Sequence, residues 1–135
     1  MGDAAAPDVV SADAPGADGA ADPLLNDCAS ADYVDRSAGD VSMRTIVAMG
    51  TTGYTPRCVR ISVGQSIVFA IDFAVHPLSP GVPHGSSVGA TLPNPIPAST
   101  TGSTATVAFP NAGYYPFYCL NHGHVGMAGV VRVVP

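Results

Sequence analysis

The segment FYCLNHGHVGM, residues 117–127, holds one cysteine, two histidines and one methionine within eleven positions. The whole chain has three cysteines, four histidines and four methionines, so this concentration of sulfur and imidazole side chains is unusual. Cys119, His122 and Met127 follow the spacing C-x2-H-x4-M. A thiolate, an imidazole and a thioether select copper over hard cations such as magnesium or calcium. The segment therefore indicates a soft-metal site.

A second imidazole would complete the trigonal His2Cys set with a weak axial methionine that is typical of electron-transfer copper centres. His76 is the candidate, because it follows the apolar run SIVFAIDFAV and begins a proline-rich loop. That position puts it at the end of a predicted strand. We therefore predict one copper ion, alternating between Cu(I) and Cu(II), held by His76, Cys119, His122 and Met127.

Other interpretations of these residues remain open from the residues alone. Cys119 beside a histidine could be a nucleophile, but no Asn or Asp that would orient the histidine is evident. Zinc would accept cysteine and histidine, although methionine is a poor zinc ligand, and Met127 could be a core residue without a metal. His124 could replace His122 as a ligand. We interpret His124 instead as a solvated or rim histidine, and His84 as a solvated loop residue.

Two segments together resemble a known family. FAVHPLSPG, followed by YYPFYCLNHGHVGMAGVVRV, is similar to the cupredoxins (type 1 blue copper proteins), and especially to their plastocyanin-like group. The similarity covers residues 41–135 and is closest over 113–134. It implies a Greek-key β-sandwich. It also implies that His76 and His122 are the nitrogen ligands, Cys119 the thiolate ligand and Met127 the axial thioether.

Three positions depart from the family pattern. The residue after the first histidine is usually Asn, which links the two ligand loops, and here it is Pro77, which has no N–H. Leu120 stands where Ser or Thr often follows the cysteine, and Asn121 stands where Pro often precedes the second histidine. Because hydrogen bonds and hydrophobicity around the sulfur tune the reduction potential, the potential of relatives does not transfer to this chain.

Alternation of apolar and polar residues predicts the elements that must position these ligands. The predicted strands are 41–48, 57–63, 66–73, 101–109, 113–119 and 129–134. One face of the third is formed by Ile67, Phe69, Ile71 and Phe73. Residues 76–99 are rich in proline and cannot form a central strand or a helix. The fold is therefore predicted to be all-β, an antiparallel sandwich or barrel, which the resemblance narrows to a Greek-key antiparallel β-sandwich.

The N-terminal residues differ in composition from the rest. Residues 1–25 are rich in Ala, Asp, Pro and Gly and offer too little apolar surface to offset the entropy lost on ordering. We predict a flexible, disordered tail over 1–25 and one copper-binding domain over 26–135. Residues 1–40 hold nine Asp and one Arg, a formal charge of −8, whereas 41–135 carry +3. So few basic residues exclude nucleic-acid binding.

The chain shows no signal for a membrane or for secretion as it stands. No apolar run approaches the roughly 20 residues that cross a bilayer, so we expect the chain as given to be soluble. The first residues lack the basic start and apolar stretch of a signal peptide. Met1-Gly2 ahead of a low-complexity run is interpreted as a start placed after a removed leader. A membrane tether through such a leader, as in a lipoprotein, is an open alternative.

Cys28 and Cys58 remain once Cys119 is assigned to the metal site. A disulfide between them would close a loop of about 30 residues and would be worth roughly 3–4 kcal/mol. It would also fix the first ordered residues to the sheet; two unrelated buried thiols are the alternative. A structural disulfide predicts an extracytoplasmic protein, either periplasmic or secreted.

The predicted function is single-electron transfer by a monomer between redox partner proteins of the cytochrome or oxidase/reductase type. Four protein ligands leave no open position for a substrate, so an enzyme is not expected. Multicopper oxidases would need histidines on both sides of Cys119, where Tyr118 and Leu120 stand. The alternative function is storage or delivery of copper at the same site.

Overall fold

Two β-sheets pack face to face in the computed structural model, which describes residues 22–135. Within this range the strands are β1 Val34–Asp35, β2 Thr45–Met49, β3 Gly53–Thr55, β4 Cys58–Ser62, β5 Ser66–Ala70, β6 Leu78–Pro80, β7 Ala105–Ala108, β8 Gly113–Cys119 and β9 Ala128–Val134. Short 3-10 turns cover Ser30–Asp32, Val41–Met43 and Gly123–Val125. Among the described residues no helix is long and apolar enough to cross a bilayer.

The strand order is β1-β4-β9-β8-β6 in one sheet and β3-β2-β5-β7 in the other. The predicted all-β sandwich is confirmed. Its sheets are mixed, however, because β1/β4, β4/β9 and β2/β5 pair in parallel while the other neighbours are antiparallel. The parallel pairs arise where the chain crosses to the opposite sheet and returns in the same direction. Short alternating strands predict that a sandwich forms, and long-range crossings decide how its strands pair.

The core lies between the two sheets and follows the alternation of the strands. The predicted inward face of residues 67–73 is confirmed, since Ile67, Phe69, Ile71 and Phe73 are all at most 3% exposed. Phe117 of β8 lies opposite, and the rings of Tyr54 and Phe69 meet it edge-on with centroids 5.0 and 5.1 Å away. Such edge-to-face pairs add to the free energy gained from burial. They also fix the strand that ends in Cys119.

Strand boundaries differ from the predicted ones where side chains or prolines interrupt the pairing. The predicted strand 41–48 begins instead as a 3-10 turn, because the Asp40 carboxylate accepts a hydrogen bond from the Ser42 amide and caps that turn. The proline-rich segment 76–99 provides β6, which lies at a sheet edge beside β8. An edge strand tolerates prolines because one of its sides needs no hydrogen-bond donors.

The start of the described chain is joined to the sandwich. The predicted Cys28–Cys58 disulfide is present, with Cα atoms 5.8 Å apart, in a buried cluster with Leu25 and Val130. Most of the predicted tail lies outside the described residues, but residues 22–25 pack on the domain, ahead of its predicted start at residue 26. The Asp22 carboxylate pairs with Arg132 at 3.3 Å, and both side chains are at most 9% exposed. A carboxylate held by a buried cation explains why packing begins earlier than the apolar residues alone predict.

Candidate metal centre

The loop between β8 and β9 carries three of the predicted ligands. Cys119 ends β8, and the loop returns through the 3-10 turn Gly123–Val125 and Gly126, whose φ of 101° lies in the left-handed region. The amide of Met127 donates to the carbonyl of His122 at 3.1 Å, and the amide of Cys119 donates to the carbonyl of Met127 at 3.0 Å. These two bonds close the loop on itself and fix the spacing of the three ligand residues.

His76 reaches the same place from the opposite sheet. The chain leaves β5 after Ala70, and the amide of His76 donates to the carbonyl of Asp72 at 2.9 Å. Two residues further on, Leu78 begins β6 and lies in register with Cys119. The pairing of β6 with β8 therefore brings His76 beside the cysteine, although the two residues are 43 positions apart.

Three donor atoms converge at this point. The Cys119 sulfur lies 3.8 Å from Nδ1 of His76 and 3.6 Å from Nδ1 of His122, and the two imidazole rings have centroids 5.1 Å apart. All three donor atoms lie within 4.8 Å of one another. Cys119 is fully buried and His76 is 9% exposed. Among the described residues this is the one group of three His, Cys or acidic side chains close enough to share a metal ion.

The spacing of the donors fits a trigonal metal ion. With metal–ligand distances of about 2.3 Å for sulfur and about 2.0–2.1 Å for nitrogen, an angle near 120° separates the two donors by about 3.8 Å. The observed sulfur–nitrogen distances of 3.6 and 3.8 Å match this value. A thiolate with two imidazoles is the soft donor set of a mononuclear copper site. The residues present therefore fit copper.

Met127 lies in the hydrophobic core. Its side chain is fully buried and belongs to the same cluster as Cys119 and Phe117. Its backbone is hydrogen-bonded to both Cys119 and His122. The position suits a fourth, weak thioether ligand, which stays a prediction.

The two remaining described histidines lie outside the donor group. His124 is exposed in the turn Gly123–Val125. The residue before it, Gly123, packs against Pro83. His84 is exposed and lines a cavity of about 410 Å³ together with Asp27. His122, not His124, therefore contributes the second imidazole of the converging group.

The two ligand loops are linked despite the proline at residue 77. The carbonyl of Pro77 accepts a hydrogen bond from the Leu120 amide at 2.9 Å. The side-chain amide of Asn121 donates to the carbonyl of Val75 at 3.3 Å. Within residues 22–135, the hydrogen-bonding contacts of the Cys119 sulfur are with the two imidazoles. The two ligand loops are thus joined by the Leu120 amide and by the Asn121 side chain, both donors on the loop that carries Cys119.

Tyr54 adds a polar group to the core cluster that contains Cys119. Its side chain is 3% exposed, and its hydroxyl has no hydrogen-bond partner among the described residues. Burial, and to a lesser degree the negative charge of Cys119, raise the pKa of Tyr54 far above its ordinary value. The phenol therefore stays neutral within the core. Sequence alternation alone did not predict the strand that carries it.

The comparisons with known proteins agree with this geometry. Residues 41–134 match the family of copper-binding proteins described as the plastocyanin/azurin family. The Cu-containing nitrite reductase NirK from Thermus scotoductus SA-01 is similar in structure, with 18% identity and a TM-score of 0.56. That match covers 84% of this chain and 31% of the reductase chain. This chain thus spans about a third of the reductase, and the similarity shows a shared fold.

Two smaller proteins match over most of their own length. Pseudoazurin from Methylobacterium extorquens AM1 is 26% identical, with a TM-score of 0.49, over 67% of this chain and 73% of that chain. Plastocyanin from Dryopteris crassirhizoma is 18% identical, with a TM-score of 0.46, over 66% of this chain and 98% of that chain. No curated protein sequence matches the chain.

Proposed function

The chain belongs to the plastocyanin/azurin family of copper-binding proteins, and on that premise we propose that it carries single electrons between redox partner proteins outside the cytoplasm. In this proposal His76, Cys119 and His122 hold one copper ion, and Met127 is the weak axial ligand. The bound ion would supply the one-electron Cu(I)/Cu(II) couple.

The observation that carries the proposal is the convergence of a buried cysteine with two imidazoles. Cys119 is fully buried, and its sulfur lies 3.6 and 3.8 Å from the two Nδ1 atoms. With Met127 as the proposed fourth ligand, such a group would leave no open position for a substrate. Enclosed donors suit electron transfer better than catalysis, because catalytic metal sites keep one position free.

The task of the protein in this proposal is to hold the donors still while the charge of the site changes. The ligand loop is closed by the mutual bonds of Cys119, His122 and Met127. It is also joined to the His76 loop through Asn121. A preorganised cage of this kind needs little rearrangement when an electron arrives or leaves.

His122 is the proposed point at which electrons enter and leave. It is half-buried, whereas Cys119 is fully buried. Around the site Val75 and Leu120 are both 52% exposed and Val125 is 55% exposed. A small exposed apolar surface of this kind is suited to brief contact with a partner protein. The proposed partners are proteins of the cytochrome or oxidase/reductase type, which a monomer of this chain would meet one at a time.

The proposed location is the periplasm or the extracellular space. The Cys28–Cys58 disulfide supports it, because structural disulfides persist mainly outside the reducing cytosol. Attachment to a membrane through a removed leader is a further part of the proposal. Expression of the natural gene with its upstream sequence, followed by fractionation and mass spectrometry of the N-terminus, would test both points.

Addition of Cu(II) to the metal-free protein tests the function itself. We expect an intense blue or green thiolate-to-copper absorption band and the electron paramagnetic resonance spectrum of a single copper–thiolate centre. Cys119→Ser should abolish the band, whereas the matched histidine control, His124→Ala, should leave it nearly unchanged. Met127→Leu should retain copper with a shifted reduction potential. A colourless protein that binds only Cu(I) would refute electron transfer and favour storage or delivery of copper.

A further inference from the structure

The side-chain amide of Asn26 binds three backbone carbonyls at once. Its Nδ2 atom lies 2.9 Å from the carbonyl oxygen of Gly129, 3.1 Å from that of Phe117 and 3.3 Å from that of Gly81, so its two N–H groups serve three acceptors and one of them is shared. These carbonyls belong to β9, to β8 and to the residue that follows β6. One amide group thus joins the neighbouring strands β8 and β9 to the residue that follows β6, and it comes from a segment far away in the sequence.

Two of these carbonyls mark the base of the metal-binding loop. Phe117 lies two residues before Cys119, Gly129 lies two residues after Met127, and the two are register partners across β8 and β9. The loop that contains Cys119, His122 and Met127 therefore begins and ends at the pair of strands that Asn26 joins. Any change in the spacing of these strands would move Cys119 relative to Met127.

Asn26 is itself held firmly in place. Its φ of 47° lies in the left-handed region, which costs energy for a residue other than glycine. The Arg57 guanidinium donates to the carbonyls of Asn26 at 2.8 Å and of Asp27 at 3.0 Å. On either side, Leu25 is fully buried and Cys28 is bonded to Cys58. These contacts fix the position from which the Asn26 side chain reaches the strands.

The close approach of this segment also explains a glycine in β9. A Cβ at Gly129 would lie 2.0 Å from the carbonyl oxygen of Arg57, the same oxygen that accepts the Val130 amide at 2.8 Å. Only a residue without a side chain allows Arg57, and with it Asn26, to lie this close to the strand. The N-terminal segment and the strand behind the ligand loop are therefore fitted to each other.

We infer that Asn26 is a positioning residue for the metal centre: its amide fixes the two strands at the base of the ligand loop, and the Cys28–Cys58 disulfide keeps it there. The inference rests on the proposed function only in taking this loop as the metal-binding loop. Loss of the amide leaves carbonyls of β8 and β9 without their donor, which favours opening of the loop more than unfolding of the distant sheet. Reduction of the disulfide should have the same local effect, because it frees the segment that carries Asn26.

Asn26→Gly is the most direct test, because glycine accepts the left-handed backbone and removes only the amide. Hydrogen exchange of the full chain would be followed in the metal-free and the Cu(I)-loaded forms. We expect the amides of Cys119 and Met127 to exchange at least about fivefold faster, while the Val68 amide in the other sheet changes little. Asp27→Gly is the matched control. It changes the neighbouring left-handed residue, φ 60°, whose side chain is exposed, and it should leave all three rates nearly unchanged.

Asn26→Asp is the second variant, since it keeps the size of the side chain and removes its donors. It should show the same selective change even if Asn26→Gly folds poorly. Reduction of the disulfide should also speed exchange at Cys119 and Met127, together with an increase at Val68 because the whole domain is less stable; adding Asn26→Gly to the reduced chain should add little at the two loop amides. In the copper-loaded protein, transfer of Cu(I) to a chelator should be several-fold faster in both variants and unchanged in Asp27→Gly.

Two results would overturn the inference. One is unchanged exchange at Cys119 and Met127 in a folded Asn26 variant. The other is an equal increase at these amides and at Val68, which would mean that Asn26 supports the whole domain and not the loop. Because the exchange experiment in the metal-free form needs no copper, failure of the proposed function would appear separately, as a wild-type protein that develops no copper–thiolate band.

Discussion

Reduction of the Cys28–Cys58 disulfide should lower the free energy of unfolding of the metal-free protein by about 3.6 kcal/mol. The bond joins residues 30 positions apart. The chain-entropy relation converts a loop of that length into about 12 cal/mol/K, which is about 3.6 kcal/mol at 25 °C. Comparing the oxidised with the reduced wild-type chain isolates this quantity, because no side-chain volume is removed from the buried cluster around the two sulfurs. Cys119 is a free thiol in both forms.

Urea unfolding followed by circular dichroism, with and without dithiothreitol, measures the difference. At an m-value of about 1.5 kcal/mol/M, the midpoint should fall by about 2.4 M on reduction. The double variant Cys28→Ala/Cys58→Ala is the control, and its midpoint should not respond to dithiothreitol. A loss below about 1 kcal/mol would refute the entropic reasoning, since it would mean that the unfolded chain gains little freedom when the bond is cut.

Three further variants probe single contacts. Asn121→Ala removes the amide that binds the Val75 carbonyl. It should cost less than about 1 kcal/mol of stability, but it should change the electron paramagnetic resonance spectrum of the copper-loaded protein. An identical spectrum would contradict the role of Asn121 in linking the loops. Tyr54→Phe removes a buried hydroxyl that has no hydrogen-bond partner among the described residues. Urea unfolding should therefore show equal stability or an increase of up to about 1 kcal/mol. A clear loss of stability would mean that the hydroxyl has a partner. Hydrogen bonds from Ser37 lower the pKa of Asp35 from 3.8 to about 2, so its stabilisation is complete above the unfolded pKa and is lost as pH falls through about 2. Because Asp35 is about half exposed, its contribution to stability should stay below about 1 kcal/mol. Asp35→Asn should lack this contribution. If the urea midpoint of that variant depends on acid pH as the wild-type midpoint does, the assignment to Asp35 is refuted.

Structural features that follow from short sequence patterns were predictable, whereas features that depend on contacts between distant residues were not. The strand 113–119 is found with the predicted limits, and the predicted disulfide is present. The clustering of Cys119 and His122 on one loop, together with an upstream histidine, is a pattern of residue types and spacing that indicates a metal site by itself. Asn26 gives no such signal, because its three acceptors lie 55, 91 and 103 residues away. A single polar residue beside a flexible-looking segment has no periodicity from which its partners can be inferred.

Proline at residue 77, where related proteins usually have Asn, changes the hydrogen bonds that the Cys119 sulfur can accept. Pro77 cannot donate to Cys119, and within residues 22–135 no other N–H outside the imidazole rings is hydrogen-bonded to its sulfur. The loops are instead joined through the Leu120 amide and the Asn121 side chain, both of which bind carbonyls and not the sulfur. Rigidity of the cage and hydrogen bonding to the thiolate, two roles that one Asn can combine, are therefore separated in this chain. Burial of Cys119 and the proposed thioether ligand Met127 are then left as the main influences on the potential, so a change at Asn121 should alter geometry more than potential.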